Sequence, residues 1–230
     1  MKRAVRPRRL NVARESAAAR AARARAIARA LGRAYPEASC ALHHDGPWQL
    51  LVATILSAQC TDAMVNQVTP ALFAELPTPA ALAAAPAARV ETLIKRTGFF
   101  RQKTKALQAT ARAIADEHGG TVPDTMEALY ELPGIGRKTA NVVLGTAFGK
   151  PAVFVDTHVR RLSNRLGLTV QDDPVKIETD LQALLPPREW TAFCHRLIHH
   201  GRQICVARKP RCSACPLLPL CPQIGVTSSA

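Results

Sequence analysis

The chain has 230 residues, 47% of them hydrophobic, which is enough for one or two domains with a buried core and excludes disorder throughout. No segment approaches the roughly 20 apolar residues of a membrane-spanning helix, and the basic start lacks the apolar run of a secretory signal. The net charge of +14 favours a polyanionic partner. We therefore expect a cytoplasmic protein with no membrane partner.

The positive charge is concentrated at the N-terminus. Residues 1–33 carry eleven of the 31 Lys and Arg residues and a single Glu. Residues 1–17 predict a disordered basic extension, and the Ala- and Arg-rich stretch 18–31 predicts a helix. A solvated arm or a misplaced start codon explains this charge as well as an arm that contacts DNA does, because a charge run is only compositional evidence.

Start and stop signals divide the rest of the chain into helices. The run 47–56 (PWQLLVATIL) is too long for a typical strand, and Pro47 suits the first position of a helix. Further starts are predicted at Thr78-Pro79, Asp124 and Asp173-Pro174. Helix ends are predicted at Gly32, Gly119-Gly120, Gly149, Gly167 and Gly201. Only residues 152–155 could form a strand, and an extended connector explains them equally well. The sequence therefore predicts an all-α fold.

The run 132–136 (LPGIG) has the composition of a tight hairpin between two predicted helices. Gly134 and Gly136 permit positive φ, and Ile135 can fill the gap between the helices. The following helix, near 137–147, presents free N–H groups, which can bind one phosphate. An ordinary helical hairpin is the alternative, because Gly-x-Gly by itself is weak evidence.

Two polar residues near this hairpin could carry chemistry. Lys138 lies in the first turn of a helix, where the dipole favours its neutral amine, and a neutral amine can form a Schiff base. A solvated or phosphate-binding lysine is the alternative. Asp156 precedes another helix, so it can cap that helix, take the lysine proton or stabilise a sugar cation. Their separation in sequence does not establish that they meet.

The C-terminal segment holds four closely spaced cysteines, Cys205, Cys212, Cys215 and Cys221. Prolines at 210, 216 and 219 interrupt any long helix there, so the segment must form a loop around a bound group. Disulfides are disfavoured inside a cell. Zinc held by four thiolates usually shows two Cys-x2-Cys pairs, whereas this loop has one. The spacing predicts a four-thiolate site and leaves zinc and a [4Fe-4S] cluster open.

These segments, in this order, resemble the bacterial endonuclease III family of DNA glycosylases with AP lyase activity. The resemblance extends from about Trp48 to Pro222. It rests on residues 56–62 (LSAQCTD), 98–103 (GFFRQK), 132–149 (LPGIGRKTANVVLGTAFG), 155–158 (VDTH) and the cysteine loop. It implies two helical lobes with a DNA-binding cleft between them. One is a six-helix barrel domain with a helix-hairpin-helix, residues 36–150, and the other is an iron-sulfur cluster domain, residues 18–35 plus 151–230.

The resemblance also implies roles for single residues. Lys138 would be the Schiff-base nucleophile and Asp156 the catalytic carboxylate. Gln59 would fill the gap left by the flipped nucleotide. Phe99 stands where the family commonly has an aliphatic wedge such as Leu, and an aromatic ring can also enter a base step.

Further residues receive supporting roles. Asp62 and His158 would support the pocket, and the four cysteines would bind a [4Fe-4S] cluster. The expected DNA contacts are Gly134 and Gly136 in the hairpin and Arg202, Arg208, Lys209 and Arg211 around the cysteine loop.

The implied activity is removal of oxidised or reduced pyrimidines from double-stranded DNA, followed by a nick at the abasic site through β-elimination. The enzyme would act as a nucleoid-associated monomer. Two rival interpretations remain open. A monofunctional glycosylase, such as an adenine glycosylase of the same superfamily, would lack Lys138, and a non-catalytic module would use the hairpin only to hold phosphate.

Overall fold

The structure is a computed structural model that describes residue 12 and residues 15–230. Every regular element in these residues is helical, which confirms the predicted fold class. The α-helices are α1 Ala17–Ala34, α2 Pro47–Leu56, α3 Asp62–Glu75, α4 Pro79–Ala84, α5 Ala87–Ile94, α6 Phe100–Glu117, α7 Met126–Glu131, α8 Arg137–Ala147, α9 Thr157–Arg165, α10 Pro174–Leu184 and α11 Trp190–Gln203. Most of the predicted basic extension, residues 1–17, lies outside the described residues. Within them, no helix is long and apolar enough to cross a membrane.

The described chain divides into two compact units. Unit 1 consists of the described residues up to Ser39 together with Pro151–Ala230, and unit 2 is Cys40–Lys150. Unit 2, which is described throughout, contains α2 to α8. Ala85 is extended and, with Pro86, separates α4 from α5.

The core of unit 2 forms around α2 and α6. All residues of α2 from Leu50 to Leu56 are buried, as its apolar sequence predicts. This helix packs against α3, α6 and α8. On α6, Leu107 and Ile114 are fully buried at helical spacing, and the helix packs against α4 and α5. These contacts fix the two ends of the hairpin, since α7 packs on α8.

Unit 1 buries one face of α1 against α10 and α11. The buried positions Ala24, Ile27, Ala28 and Leu31 recur at the i, i+3, i+4, i+7 spacing of an amphipathic helix. Residues 152–155 are a buried extended connector to α9 and do not form a strand.

Arg23 is a residue of the basic N-terminal stretch that is neither solvated nor available to DNA, because it is buried. It is 7% exposed, and its guanidinium donates to both carboxylate oxygens of Glu15 at 2.8 and 2.7 Å. It also donates to the carbonyls of Leu166 at 2.5 Å, Gly167 at 3.0 Å and Leu220 at 3.3 Å. The hydrogen bond from Arg23 lowers the pKa of Glu15. A buried Arg therefore joins α1 to the turn after α9 and to the C-terminal loop.

Most predicted helix boundaries follow local capping chemistry. Thr78 and Asp173 cap α4 and α10 with their side chains, and a proline occupies the first turn of each. Thr125, rather than the predicted Asp124, caps α7. Two predicted helix ends are wrong. Gly32 lies within α1 and Gly201 lies within α11.

The two helical glycines have different surroundings and should respond differently to alanine. A Cβ at Gly32 would meet only the tip of Arg196, at 3.5 Å, so Gly32→Ala should raise the free energy of unfolding by about 0.5–1 kcal/mol. A Cβ at Gly201 would lie 2.8 Å from His158 Nδ1 and 3.1 Å from Arg161 Nη2. Gly201→Ala should therefore destabilise the protein by about 1–3 kcal/mol. Chemical denaturation of both variants would test this, and equal shifts would contradict it.

Candidate functional site

The hairpin between α7 and α8 is anchored on α6 within unit 2. The Thr110 hydroxyl donates to the Pro133 carbonyl at 2.6 Å, and Ile135 is 5% exposed, so it fills the gap as predicted. Gly134 has a φ of +79°, which favours glycine. Gly136 has a φ of −92°, so the expectation of positive φ is correct for Gly134 and wrong for Gly136.

Gly136 instead occupies the N-cap position of α8, where it has no side chain to accept a hydrogen bond. No side chain accepts a hydrogen bond there, and a Cβ on Gly136 would have open space around it. The first backbone N–H groups of this 11-residue helix therefore face the surface with the positive end of the helix dipole. This arrangement suits an anion such as a phosphate.

Lys138 is the second residue of α8, and its side chain is exposed. It belongs to unit 2, whereas Asp156 belongs to unit 1. The pairing of these two residues in one reaction therefore stays a prediction.

Gln59 and Phe99 line one cavity of about 300 Å³ in unit 2, together with Gly134 and Thr139. Both have left-handed backbone, with φ of 52° at Gln59 and 46° at Phe99. Both are exposed, and the Phe99 ring is 57% exposed although it is apolar. Phe99 therefore presents an apolar side chain to solvent from a left-handed backbone position, and its role as a wedge stays a prediction.

Lys103 is a residue of this cavity to which the sequence assigned no role. It is 5% exposed, and its ammonium donates to the carbonyls of Leu56 and Thr97, both at 2.8 Å. Burial lowers the pKa of Lys103, and the nearby Cys60 partly opposes that effect. Its position four residues after Phe99 was a signal only of the loop, because one of its two partners, Leu56, lies 47 residues away in sequence.

Asp156 caps α9, which is one of the roles that the sequence left open. Its Oδ1 accepts a hydrogen bond from the Val159 N–H at 2.7 Å, and the side chain is half-buried. The preceding Phe154 and Val155 are buried, so the cap is held at the edge of the unit 1 core. A carboxylate has two oxygens, and the cap uses one of them.

The two residues expected to support the pocket lie in separate units. His158 is next to the Asp156 cap, and its Nδ1 is 3.1 Å from Arg161 Nη2. Burial chiefly lowers the pKa of His158, while the negative charge of Asp156 opposes this. Asp62 is half-buried in the first turn of α3, which Thr61 caps.

The four C-terminal cysteines line one cavity in unit 1. The remaining walls are mostly apolar and include Leu162, Leu166, Ile204, Leu217 and Val226. Among the described residues, no group of three or more His, Cys, Asp and Glu side chains is spaced to hold a single metal ion. The four predicted ligands thus line the same cavity, but they are not spaced around a single metal ion.

The donor set of this cavity fits a group that binds thiolates. Burial raises the pKa of Cys215 and of Cys221 to about 11, and a bound metal centre would deprotonate such thiols. Three sulfurs already have polar neighbours, since Arg165 Nη1 is 3.5 Å from Cys205 Sγ and the Gln223 N–H donates to Cys221 at 3.4 Å. His200 Nε2 is 3.4 Å from Cys215 Sγ. Such hydrogen bonds to sulfur accompany metal-bound thiolates.

The basic residues of the cysteine loop are all on the surface of unit 1. The structure leaves these side chains exposed: Arg202, Arg208, Lys209 and Arg211. Two other arginines fix the loop backbone. Arg165 donates to the Val206 and Ala207 carbonyls at 2.8 and 2.7 Å, and Arg161 donates to the Cys205 carbonyl at 3.0 Å. Arg202 lies in the last turn of α11, and the other three exposed charges stand on a loop whose backbone is held in place.

Comparisons with known proteins agree with these features. A family model described as HhH-GPD superfamily base excision DNA repair protein matches residues 52–187. Endonuclease III of Synechocystis sp. is 55% identical over 87% of this chain and 92% of its own length. Endonuclease III of Bacillus subtilis is 46% identical over 83% of this chain and 88% of its own length.

Solved structures give the same result. A non-covalent endonuclease III–DNA complex is 44% identical, with a TM-score of 0.83 over 87% of this chain and 94% of that chain. A trapped endonuclease III–DNA covalent intermediate is 43% identical, with a TM-score of 0.83 over 87% and 95% of the two chains. This chain therefore belongs to the endonuclease III family of base excision DNA repair, whose members are DNA glycosylases and AP lyases.

Proposed function

We propose that this enzyme removes oxidised or reduced pyrimidines from duplex DNA through a Schiff base at Lys138 and then nicks the abasic site. The observation that carries this proposal is the exposed Lys138 in the first turn of α8, directly after a hairpin whose last residue, Gly136, leaves the start of that helix without a side-chain cap. A covalent intermediate of a 43% identical relative with DNA supports the same chemistry. It also favours this function over a monofunctional glycosylase.

The reaction begins when Nζ of Lys138 attacks C1′ of the extruded nucleotide. The bond from C1′ to the base breaks, and the base leaves with the bonding electrons and takes up a proton. The nitrogen then gives up one proton, the bond from C1′ to O4′ breaks and O4′ takes up a proton, which opens the sugar ring and leaves a protonated imine between Nζ and C1′. Loss of a C2′ proton then expels the 3′ phosphate, and water hydrolyses the imine to restore the lysine.

Asp156 is proposed to act on the same nucleotide as a carboxylate. It would accept the proton from Lys138 or stabilise the positive charge that develops on the sugar as the base departs. The cap at Val159 supports this role, because it fixes one oxygen and thereby orients the other. His158 and Asp62 are proposed to support the pocket.

Recognition of duplex DNA is proposed to use three surfaces. Gly134 and Gly136 bring a backbone phosphate to the start of α8, where the uncapped N–H groups lie. Gln59 fills the space left by the flipped nucleotide, and Phe99 enters the neighbouring base step. The side chains in and beside the cysteine loop, Arg202, Arg208, Lys209 and Arg211, contact phosphates.

The four cysteines of unit 1 are proposed to hold a [4Fe-4S] cluster, which makes this unit the cluster domain and unit 2 the barrel domain. The cluster would pin residues 205–221 and hold the basic loop against DNA. No step of base removal needs it, since Lys138 supplies the nucleophile.

Cluster loading can be measured directly. Protein purified without oxygen should be brown and contain about four iron atoms per chain. Cys212→Ser should lose iron and lower the Tm by about 5 °C or more, since each kcal/mol shifts the Tm of a chain of this size by about 2–4 °C. Cys60→Ser, outside the cavity, is the control and should retain iron. A colourless protein that contains zinc would refute the iron assignment.

Borohydride trapping tests the proposed function itself. Wild-type protein mixed with a duplex containing one reduced pyrimidine should release the base, nick the strand and form a covalent adduct when borohydride reduces the imine. Peptide mapping should place the adduct on Lys138. Base release without any adduct would indicate a monofunctional glycosylase, and binding without base release would indicate a non-catalytic module.

A further inference from the structure

Two loops of unit 2 carry the residues proposed to enter DNA, and both have strained backbone. The loop after α2 places Gln59 at a φ of 52°. The loop before α6 places Gly98 at 70° and Phe99 at 46°. Left-handed conformations at residues other than glycine persist only where the surroundings hold them. We therefore expect side-chain contacts that hold these two loops in place.

Lys103 joins the two loops. Its ammonium donates to the Leu56 carbonyl, three residues before Gln59, and to the Thr97 carbonyl, two residues before Phe99. Both hydrogen bonds are 2.8 Å long, and the side chain is 5% exposed. The cavity lined by Gln59, Phe99 and Lys103 lies between the loops.

Packing alone does not require a cation at this position. An apolar side chain of similar size could fill the space without the cost of burying a charge, and burial does lower the pKa of Lys103. An apolar side chain would, however, leave the Leu56 and Thr97 carbonyls without their donor. What the lysine adds is a link between the two loops through one side chain.

We propose that Lys103 is a positioning residue that sets the separation of Gln59 and Phe99 and thereby lets the enzyme discriminate a duplex with a missing base from an intact duplex. This inference rests on the proposed roles of Gln59 and Phe99. Lys103 does not act as a nucleophile, because its ammonium is engaged by two carbonyls.

The ratio of two dissociation constants tests this role. One duplex contains a tetrahydrofuran analogue of an abasic site, which cannot form an imine, and the other has the same sequence without a lesion. In Lys103→Met, the preference for the lesion duplex should fall about tenfold, as expected when a hydrogen-bonded charge is lost. Lys103→Arg keeps the charge and the donors and should restore most of the preference. Lys105→Met, at an exposed position two residues along α6, is the matched control and should not change it.

A double-mutant cycle separates positioning from general loss of stability. If Lys103 acts through Gln59, then Lys103→Met should cost little further preference in a Gln59→Ala background. Additive losses, or an unchanged preference in Lys103→Met, would overturn the inference. If circular dichroism shows that Lys103→Met is unfolded, Lys103→Gln replaces it under the same criteria. The wild-type borohydride adduct is an independent readout, so its absence would contradict the proposed function and not the role of Lys103.

Discussion

Replacing Lys138 with Gln should abolish the borohydride adduct and strand cleavage while leaving DNA binding nearly unchanged. Glutamine keeps a polar side chain at the start of α8 but has no nucleophilic amine. The single-turnover rate on a reduced-pyrimidine duplex should fall by roughly 10³-fold or more, because loss of a covalent nucleophile removes the reaction path itself. The exposed position of Lys138 means that the fold should not change.

Lys176→Gln is the matched control for this experiment. Lys176 is also an exposed lysine in the first turn of a helix, α10, so the same substitution repeats the change in helix-dipole interaction without touching the proposed nucleophile. Its rate and adduct yield should equal those of the wild type. An undiminished adduct in Lys138→Gln would mean that another amine attacks the sugar.

Local capping chemistry explains why much of the fold could be predicted from the sequence. Asp173 before Pro174 starts a helix, and the glycines at 119 and 149 follow helix ends, because these signals act within a few residues. Gly201 shows the limit of this reasoning. It lies within a helix, and a glycine is needed there because His158, 43 residues earlier in the chain, leaves no room for a side chain.

Long-range partners explain what the sequence could not show about the site. In the sequence, Arg23 belonged to a run of basic residues and Lys103 to a loop motif. In the structure both side chains are buried and donate hydrogen bonds to backbone carbonyls. The carbonyls that accept from Lys103 belong to residues 47 and 6 positions away in sequence, and the Leu166 carbonyl that accepts from Arg23 is 143 positions away. No periodicity encodes such contacts. The grouping of the four cysteines around one cavity could be predicted because their spacing is itself local, and their role as ligands stays a prediction.

Asp156→Asn should separate the catalytic role of this residue from its capping role. Asparagine caps helices as well as aspartate does, so the hydrogen bond from the Val159 N–H can persist and the free energy of unfolding should change little. The negative charge is lost, however, so the residue can neither take a proton nor stabilise a sugar cation. We expect the single-turnover rate to fall by about 10²–10⁴-fold, the range that general acid–base catalysis contributes.

Two further variants complete this test. Asp156→Ala removes the cap as well as the charge, so it should show the same loss of rate together with a stability loss of about 0.5–2 kcal/mol. Asp173→Asn makes the same substitution at another aspartate cap, whose Oδ1 accepts from the Lys176 N–H at 3.0 Å, and it should keep the wild-type rate. If Asp156→Asn binds damaged DNA normally and also cleaves at the wild-type rate, Asp156 is only a cap. Slow cleavage by Asp156→Asn with normal stability, while Asp173→Asn cleaves at the wild-type rate, would show instead that the reaction depends on the negative charge of the Asp156 carboxylate.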